Sequence, residues 1–206
     1  MMTSKFESTK AEGDDTMKKF LFFFTVIAIL ASVFLAGCGG AKGSNKTTAE
    51  DDINIDGTVP REIQEYNYFM EQAGLAQAED RKDDALDYYL SAADTMAAKG
   101  TPSIKEADAH YEAAQIAYQT NQKELSIQEY EKAVEIYIRF DGNSLTKGAV
   151  AYTNLGVIWK ELHEKNKARS CWQSALDLYS KAPANSQNKV HIEKIQQNIR
   201  DLDQGF

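Results

Sequence analysis

The sequence is poor in the residues that build disulfide frameworks and nucleic-acid sites. Its 206 residues include two cysteines and three prolines, and the formal net charge is -8. Two cysteines allow at most one disulfide, which excludes a disulfide-stapled scaffold. Lysine and arginine form no cluster, so neither a nucleic-acid partner nor an electrostatic hold on anionic lipid is expected. The 43% hydrophobic content suits one ordinary globular domain with an N-terminal appendage.

Groups that catalyse reactions or bind metals are scattered. The three histidines, His110, His163 and His191, belong to three different helical segments, and His163-Glu164 supplies only the first half of an HExxH motif. Cys171 and His163 could act as nucleophile and base, but a predicted turn separates them, which favours an inert thiol. The glycines form no phosphate-binding loop. The sequence therefore predicts no enzyme activity, no cofactor and no metal.

The N-terminus has the pattern of a secretory signal. Met17-Lys18-Lys19 precedes an almost entirely apolar run over residues 20–34, and small residues follow that run. Residues 1–16 are polar and partly acidic, which is unusual ahead of such a signal. We therefore expect Met17 to be the true start of translation and residues 1–16 to be an upstream extension.

The apolar run ends in Leu35-Ala36-Gly37-Cys38, which resembles the lipobox of bacterial lipoproteins. The resemblance implies that residues 1–37 are removed and that Cys38 becomes the lipidated first residue. Two or more acyl chains anchor a protein stably, at about 0.8 kcal/mol for each buried methylene. The alternative is an uncleaved transmembrane anchor with an incidental cysteine, for which the run is slightly short of the usual ~20 residues.

The residue after Cys38 bears on location. Gly39 is not the aspartate that retains lipoproteins at the inner membrane, so the resemblance implies the outer membrane in a bacterium with two membranes. With one membrane, the location would be the outer face of the cytoplasmic membrane. Residues 38–60 are rich in Gly, Ser, Thr and Asp without apolar periodicity, which predicts a flexible lipidated tether.

The body of the chain repeats one helical signature, a small residue followed by an aromatic four positions later and an alanine three beyond it. Its copies are Ala85, Tyr89 and Ala92; Ser126, Tyr130 and Ala133; and Ala168, Trp172 and Ala175. The first residues of successive copies are 41 and 42 residues apart, and Gly100 and Gly142 follow the first two copies as helix stops. Repetition at a fixed period predicts stacked helical hairpins at residues 61–99, 103–140 and 145–182.

The third hairpin resembles the tetratricopeptide repeat (TPR) family. Residues 149–182 carry its consensus at Leu155, Gly156, Trp159, Ala168, Trp172 and Ala175. The earlier repeats match it well only in their second helices. The resemblance implies an all-α, right-handed TPR-like α-solenoid of three hairpins spanning residues 61–183.

The same resemblance implies a partner-binding concave face built from the first helix of each repeat. Carried over by position, the candidate residues are Met70, Gly74, Gln77, Tyr111, Gln115, Tyr118, Thr153, Val157 and Lys160. The alternative for each residue is ordinary packing between repeats. Rigid tyrosines beside amides make good contact surfaces for a protein or peptide.

Residues 184–206 predict a C-terminal capping helix. Ile192, Ile195, Ile199 and Leu202 form one apolar stripe with a polar back. An amphipathic helix that seeks a partner is the alternative.

These features together predict a membrane-anchored TPR lipoprotein that acts as a protein–protein interaction scaffold or assembly factor in the bacterial cell envelope. The alternatives are an enzyme or small-ligand receptor of the envelope, or a self-assembling structural lipoprotein.

Overall fold

The computed structural model describes residues 57–204, which form seven α-helices and no strand. The helices are α1 (Arg61–Ala78), α2 (Lys82–Ala97), α3 (Ile104–Gln119), α4 (Lys123–Tyr137), α5 (Asn143–Glu161), α6 (Lys165–Lys181) and α7 (Ser186–Asp203). The predicted all-α fold of three helical hairpins and a terminal helix is confirmed. The predicted signal peptide, the lipidation site Cys38 and most of the tether lie outside the described residues.

The three turns inside the hairpins share one backbone geometry. Asp80, Asn121 and His163 each have a positive φ, at 57°, 60° and 61°. In each turn the following amide donates to a carbonyl five residues back, as Arg81 does to Ala76 at 2.8 Å. This pattern is the Schellman ending of a helix, which satisfies carbonyls that the helix leaves free. The hairpins thus repeat in their turns as well as in their cores.

The connections between hairpins use glycine where the chain needs a left-handed residue. Gly100 and Gly142 have φ values of 71° and 70° and follow α2 and α4, as the sequence predicts. After the first of these, the Ser103 side chain accepts a hydrogen bond from the Glu106 amide at 3.2 Å and caps α3. Each connection therefore both ends one hairpin and sets the start of the next.

Small residues let the helices of each hairpin approach closely. Ala85, Ala133 and Ala168, among other alanines, are fully buried where helices cross. Ser126 Oγ donates to the Ala114 carbonyl at 2.8 Å, which ties α4 to α3. The signature positions found in the sequence are therefore the contact positions between the two helices of a hairpin.

The last helix covers the last hairpin. Ile195 and Leu202 of α7 are buried in one apolar cluster with Trp172 and Tyr179 of α6. A helix that is apolar on one face and polar on the other closes a repeat stack against water. Within residues 57–204, no helix is long and apolar enough to cross a membrane.

Candidate partner-binding groove

The first helices of the repeats, α1, α3 and α5, line a groove that side chains bridge. Lys147 Nζ lies 2.6 Å from Asp108 Oδ1, and Tyr118 Oη donates to Glu161 Oε1 at 2.5 Å. Between these two links, Asn154 Nδ2 lies 3.5 Å from Tyr111 Oη. The α3 residues of these three contacts are Asp108, Tyr111 and Tyr118. Their successive spacings of three and seven residues place them on one face of the helix. The groove therefore has a polar floor that spans the second and third repeats.

The larger of two cavities in this groove, here called the central cavity, has a volume of about 340 Å³. It is bounded by side chains from all three repeats: Tyr66, Met70, Asp108, Tyr111, Glu112, Tyr137, Thr146, Lys147 and Val150. Its walls are largely aromatic and aliphatic, whereas its charged groups are two carboxylates and one ammonium. A mostly apolar concave site with few polar groups is typical of ligand-binding pockets.

Asp108 has more hydrogen-bond and ion-pair partners than the other charged groups in the central cavity. Tyr137 Oη donates to its Oδ1 at 2.5 Å, and Lys147 Nζ lies 2.6 and 2.8 Å from its two oxygens. Burial, and then the charge of Asp108, raise the pKa of Tyr137 far above its ordinary value, so this phenol stays a donor. Asp108 is thereby held in place from α4 and α5 together.

A smaller cavity of about 190 Å³, here called the lateral cavity, lies further along α3 and α5. Its lining residues are Gln115, Tyr118, Gln119, Tyr130, Asn154, Val157 and Ile158. Asn154 Nδ2 donates to Tyr130 Oη at 3.0 Å, and Tyr130 packs edge-on against Tyr111 with ring centroids 5.5 Å apart. The lateral cavity is lined by neutral amide, phenol and aliphatic groups.

The rim of the lateral cavity carries an ionic link. Glu161 accepts from Tyr118 and also pairs with Lys123 Nζ at 2.9 Å. Hydrogen bonds from Tyr118 and Lys123 hold the pKa of Glu161 below its ordinary value. This carboxylate is already satisfied by the protein, which distinguishes it from Glu112 in the central cavity.

The structure brings five of the predicted groove residues to the two cavities. Met70 and Tyr111 line the central cavity, and Gln115, Tyr118 and Val157 line the lateral cavity.

The other predicted residues have different surroundings. Gln77 Oε1 accepts from Tyr89 Oη at 3.2 Å, and the Thr153 hydroxyl donates to the Ala149 carbonyl at 2.8 Å. Gly74 is exposed and Lys160 is half-buried, and neither lines a cavity. Contact of these residues with a partner stays a prediction.

The polar floor of the groove and the aromatic side chains that the second helices add to it were not predicted from the sequence. Asp108 lies one helical turn before the predicted Tyr111, and Glu112 directly follows Tyr111. Helical spacing from Tyr111 could therefore have identified Asp108 and Glu112. Tyr130 is the aromatic residue of the second signature copy, and its place in the lateral cavity was not predicted. Asn154 lies one position beyond the predicted Thr153, and the sequence offered no sign of that shift.

His110 and His191 lie in different surroundings. His110 is buried and its Nδ1 lies 2.6 Å from Glu129 Oε2, whereas His191 stacks on Tyr179 with ring centroids 6.0 Å apart. No group of three or more His, Cys, Asp and Glu side chains within residues 57–204 could hold a metal ion. Burial, with the nearby Glu131 carboxylate, raises the pKa of the Cys171 thiol to about 11.

Three solved structures resemble this fold at low sequence identity. BtubC (BKLC) from P. vanneervenii is 21% identical, with a TM-score of 0.58 over 66% of this chain and 54% of that chain. The Rap conjugation gene regulator of the plasmid pLS20, solved with the Phr* peptide, is 15% identical, with a TM-score of 0.53 over 84% of this chain and 44% of that chain. The TPR domain of Arabidopsis OM64 is 18% identical over 67% of this chain and 99% of that chain, with a TM-score of 0.49.

These likenesses concern the fold alone, and this chain spans about half the length of BtubC. No curated protein sequence matches significantly. The profile of the family described as soluble NSF attachment protein, SNAP, matches residues 63–203, a stretch that runs from the first turn of α1 to the end of α7. The chain is therefore a TPR-type helical-repeat protein and belongs to the soluble NSF attachment protein family.

Proposed function

We propose that this protein is a lipid-anchored scaffold of the bacterial cell envelope that binds a protein partner along the groove formed by α1, α3 and α5. The observation that carries the proposal is the pair of cavities in that groove, which side chains from all three repeats build together. The family name describes attachment to another protein, NSF, and the Rap regulator was solved with a peptide. Both descriptions favour a protein or peptide as the ligand here.

The spacing of the cavities favours a short extended segment of the partner. The α3 residues that line the central cavity are centred seven positions before those that line the lateral cavity. At a rise of about 1.5 Å per residue, this separates the cavities by roughly 10.5 Å along α3. An extended chain rises about 3.3 Å per residue, so residues about three positions apart in a partner segment match this separation.

The membrane anchor is proposed from the sequence around Cys38. Metabolic labelling with an alkyne analogue of palmitate should modify the wild-type protein at this residue. The Cys38→Ala variant should lose the label, whereas Cys171→Ala, which removes the only other cysteine, should keep it. Equal labelling of wild type and Cys38→Ala would reject the lipid anchor.

The groove is tested by photocrosslinking in intact cells. A photoreactive amino acid at position 118 or 157 should trap one partner of reproducible mass, because both positions line the lateral cavity. The same amino acid at Gln173, an exposed α6 position that lines neither groove cavity, is the matched control. The scaffold proposal is rejected if the groove positions trap nothing beyond the control.

The crosslinked product also separates the alternatives. A second copy of this chain as the trapped partner would favour the self-assembling structural role. A small ligand bound stoichiometrically in native mass spectrometry, without any trapped protein, would favour an envelope receptor. Either result would replace the scaffold proposal.

A further inference from the structure

The two carboxylates of the central cavity have different surroundings. Asp108 forms an ion pair with Lys147 and accepts a hydrogen bond from Tyr137. Glu112 pairs with no lysine, arginine or histidine of residues 57–204, and its carboxylate accepts a hydrogen bond from Gln115 Nε2 at 3.2 Å. One negative charge in this cavity therefore lacks a cationic partner within the described chain.

The surroundings of Glu112 disfavour an unpaired, ionised carboxylate. Burial, followed by the charge of Asp108, raises its pKa, and the opposing effect of Lys147 does not offset this. A carboxylate in such a place gains more from an added cation than a solvated carboxylate does, because water no longer screens the interaction. The cavity thus favours an incoming positive charge over an anion.

The walls around Glu112 also suit a cation on an aliphatic stem. Lys147 Nζ already lies 5.8 Å from the ring centroid of Tyr137, and Lys105 Nζ lies 5.5 Å from that of Tyr66. Ring faces attract cations at such distances, and Tyr111 adds a third ring to this lining. Apolar wall residues such as Met70 can contact the methylene stem of a long basic side chain.

The size and the remaining polar group fit a single side chain. A volume of about 340 Å³ is at the low end of the range for ligand pockets, so the cavity admits one side chain rather than a helix. The buried hydroxyl oxygen of Thr146, another lining residue, makes no hydrogen bond within the described residues. A hydroxyl can accept from an ammonium or guanidinium group.

We propose that the central cavity binds one lysine or arginine side chain of the partner, with Glu112 as its counter-ion and the tyrosine rings as its walls. This inference rests on the proposed function, because it names the chemistry that a partner must present to the groove. The lateral cavity, which is neutral, then takes a neighbouring uncharged side chain of the same segment. The partner segment is therefore basic at one position and neutral about three residues away.

The test uses the full chain in a non-ionic detergent and N-acetyl-arginine amide as the probe, followed by NMR titration. N-acetyl-citrulline amide has nearly the same shape without the charge and is the matched ligand. We expect saturable binding of the arginine probe, with shifts at Tyr111 and Val150, and binding of the citrulline probe at least tenfold weaker. A hydrogen-bonded charge pair contributes enough free energy for a change of this size.

The variant Glu112→Gln keeps the shape of the side chain and removes its charge. It should weaken binding of the arginine probe by at least tenfold while circular dichroism shows an unchanged fold. Glu135→Gln is the matched control, because Glu135 is exposed and pairs with Arg139 outside both groove cavities. Its affinity should equal that of the wild type.

Three results would overturn the inference: equal affinity for the two probes, equal affinity of wild type and Glu112→Gln, or no saturable binding at millimolar probe. The crosslinking experiment separates these failures from failure of the scaffold proposal. If position 118 traps a partner and the arginine probe does not bind, only the cationic specificity is rejected.

Discussion

Gly156 of α5 lies directly against the indole of Trp172 in α6. A Cβ atom placed on Gly156 would lie 2.2 Å from Trp172 Nε1, far inside van der Waals contact. The same indole N–H donates to the Thr153 carbonyl at 3.2 Å, and Trp172 is fully buried. The glycine is therefore the residue that lets the tryptophan reach the α5 backbone and close the third hairpin.

Replacing Gly156 with alanine should destabilise the protein. Alanine favours a helix by about 1 kcal/mol over glycine, but the methyl group would push Trp172 out of its packed position. Overpacking of a core costs about 1–3 kcal/mol, and a contact of 2.2 Å lies at the severe end. We expect a net loss of about 2 kcal/mol in the free energy of unfolding, measured by urea denaturation.

Gly74 provides the matched control for that substitution. It also lies inside a helix, but a Cβ atom built on it meets nothing within 4 Å. Gly74→Ala should therefore raise the free energy of unfolding by about 0.5–1 kcal/mol. Equal effects of the two substitutions would show that the Trp172 contact does not limit position 156.

The buried pair of His110 and Glu129 should make stability depend on pH. Burial raises the pKa of Glu129, but hydrogen bonds from His110 and Lys132 outweigh it and leave the pKa below the ordinary 4.5. Because the pKa of Glu129 is lower in the folded state, its ionised carboxylate stabilises the fold fully above about pH 4.5. This stabilisation is lost as the pH falls through the folded-state pKa.

Glu129→Ala should therefore cost about 3 kcal/mol at pH 7, since it leaves His110 buried without its partner. The difference from wild type should shrink as the pH falls from 4.5 through the lower folded-state pKa, where wild type also loses the charge. The exposed Glu135→Ala control should change stability by less than about 0.5 kcal/mol. A Glu129→Ala penalty that is independent of pH would contradict the role assigned to the ionised carboxylate.

The hairpins were predictable because their signals are local and repeated. The small–aromatic–alanine signature marks every second helix, and Gly100 and Gly142 stand at the predicted stops with positive φ. The left-handed residues of the three hairpin turns, Asp80, Asn121 and His163, were not predicted because three different residue types fill this one position. Their shared spacing of 41 and 42 residues would have revealed them.

The floor of the groove was less predictable, since it depends on how successive hairpins are offset. Asn154, rather than the predicted Thr153, lies near Tyr111. A shift of one residue rotates a side chain by about 100° around a helix, enough to move it off the groove face. The pairing of Asp108 with Lys147 spans 39 residues instead of the repeat length, and no periodic rule in the sequence gives that number.

Cys171 should be unreactive while the protein is folded. Burial raises the pKa of its thiol to about 11, and the Glu131 carboxylate acts in the same direction. The thiolate is the reactive form, so raising the pKa from its ordinary 9.0 to about 11 slows alkylation at neutral pH by roughly a hundredfold. Mass spectrometry of the Cys171 peptide after iodoacetamide should show slow modification in buffer and fast modification in urea. Equal rates in the two solvents would contradict the burial of this thiol.

The C-terminal helix should detach before the rest of the repeat stack unfolds. α7 packs against α6 mainly through Ile195 and Leu202, of which Ile195 is fully buried. In a repeat protein each element is stabilised by its neighbours, so the terminal one opens at the lowest free energy. Ile195→Ala removes about 2–5 kcal/mol of packing at this contact.

We therefore expect Ile195→Ala to accelerate amide hydrogen exchange throughout α7 while exchange in α1 to α4 stays close to that of wild type. Val190→Ala on the same helix is the control, because Val190 is 65% exposed and its side chain adds little packing. Uniform acceleration across all seven helices would mean that α7 is part of one cooperative unit with the hairpins. Acceleration confined to α7 would establish it as a cap whose loss leaves the groove of α1, α3 and α5 in place.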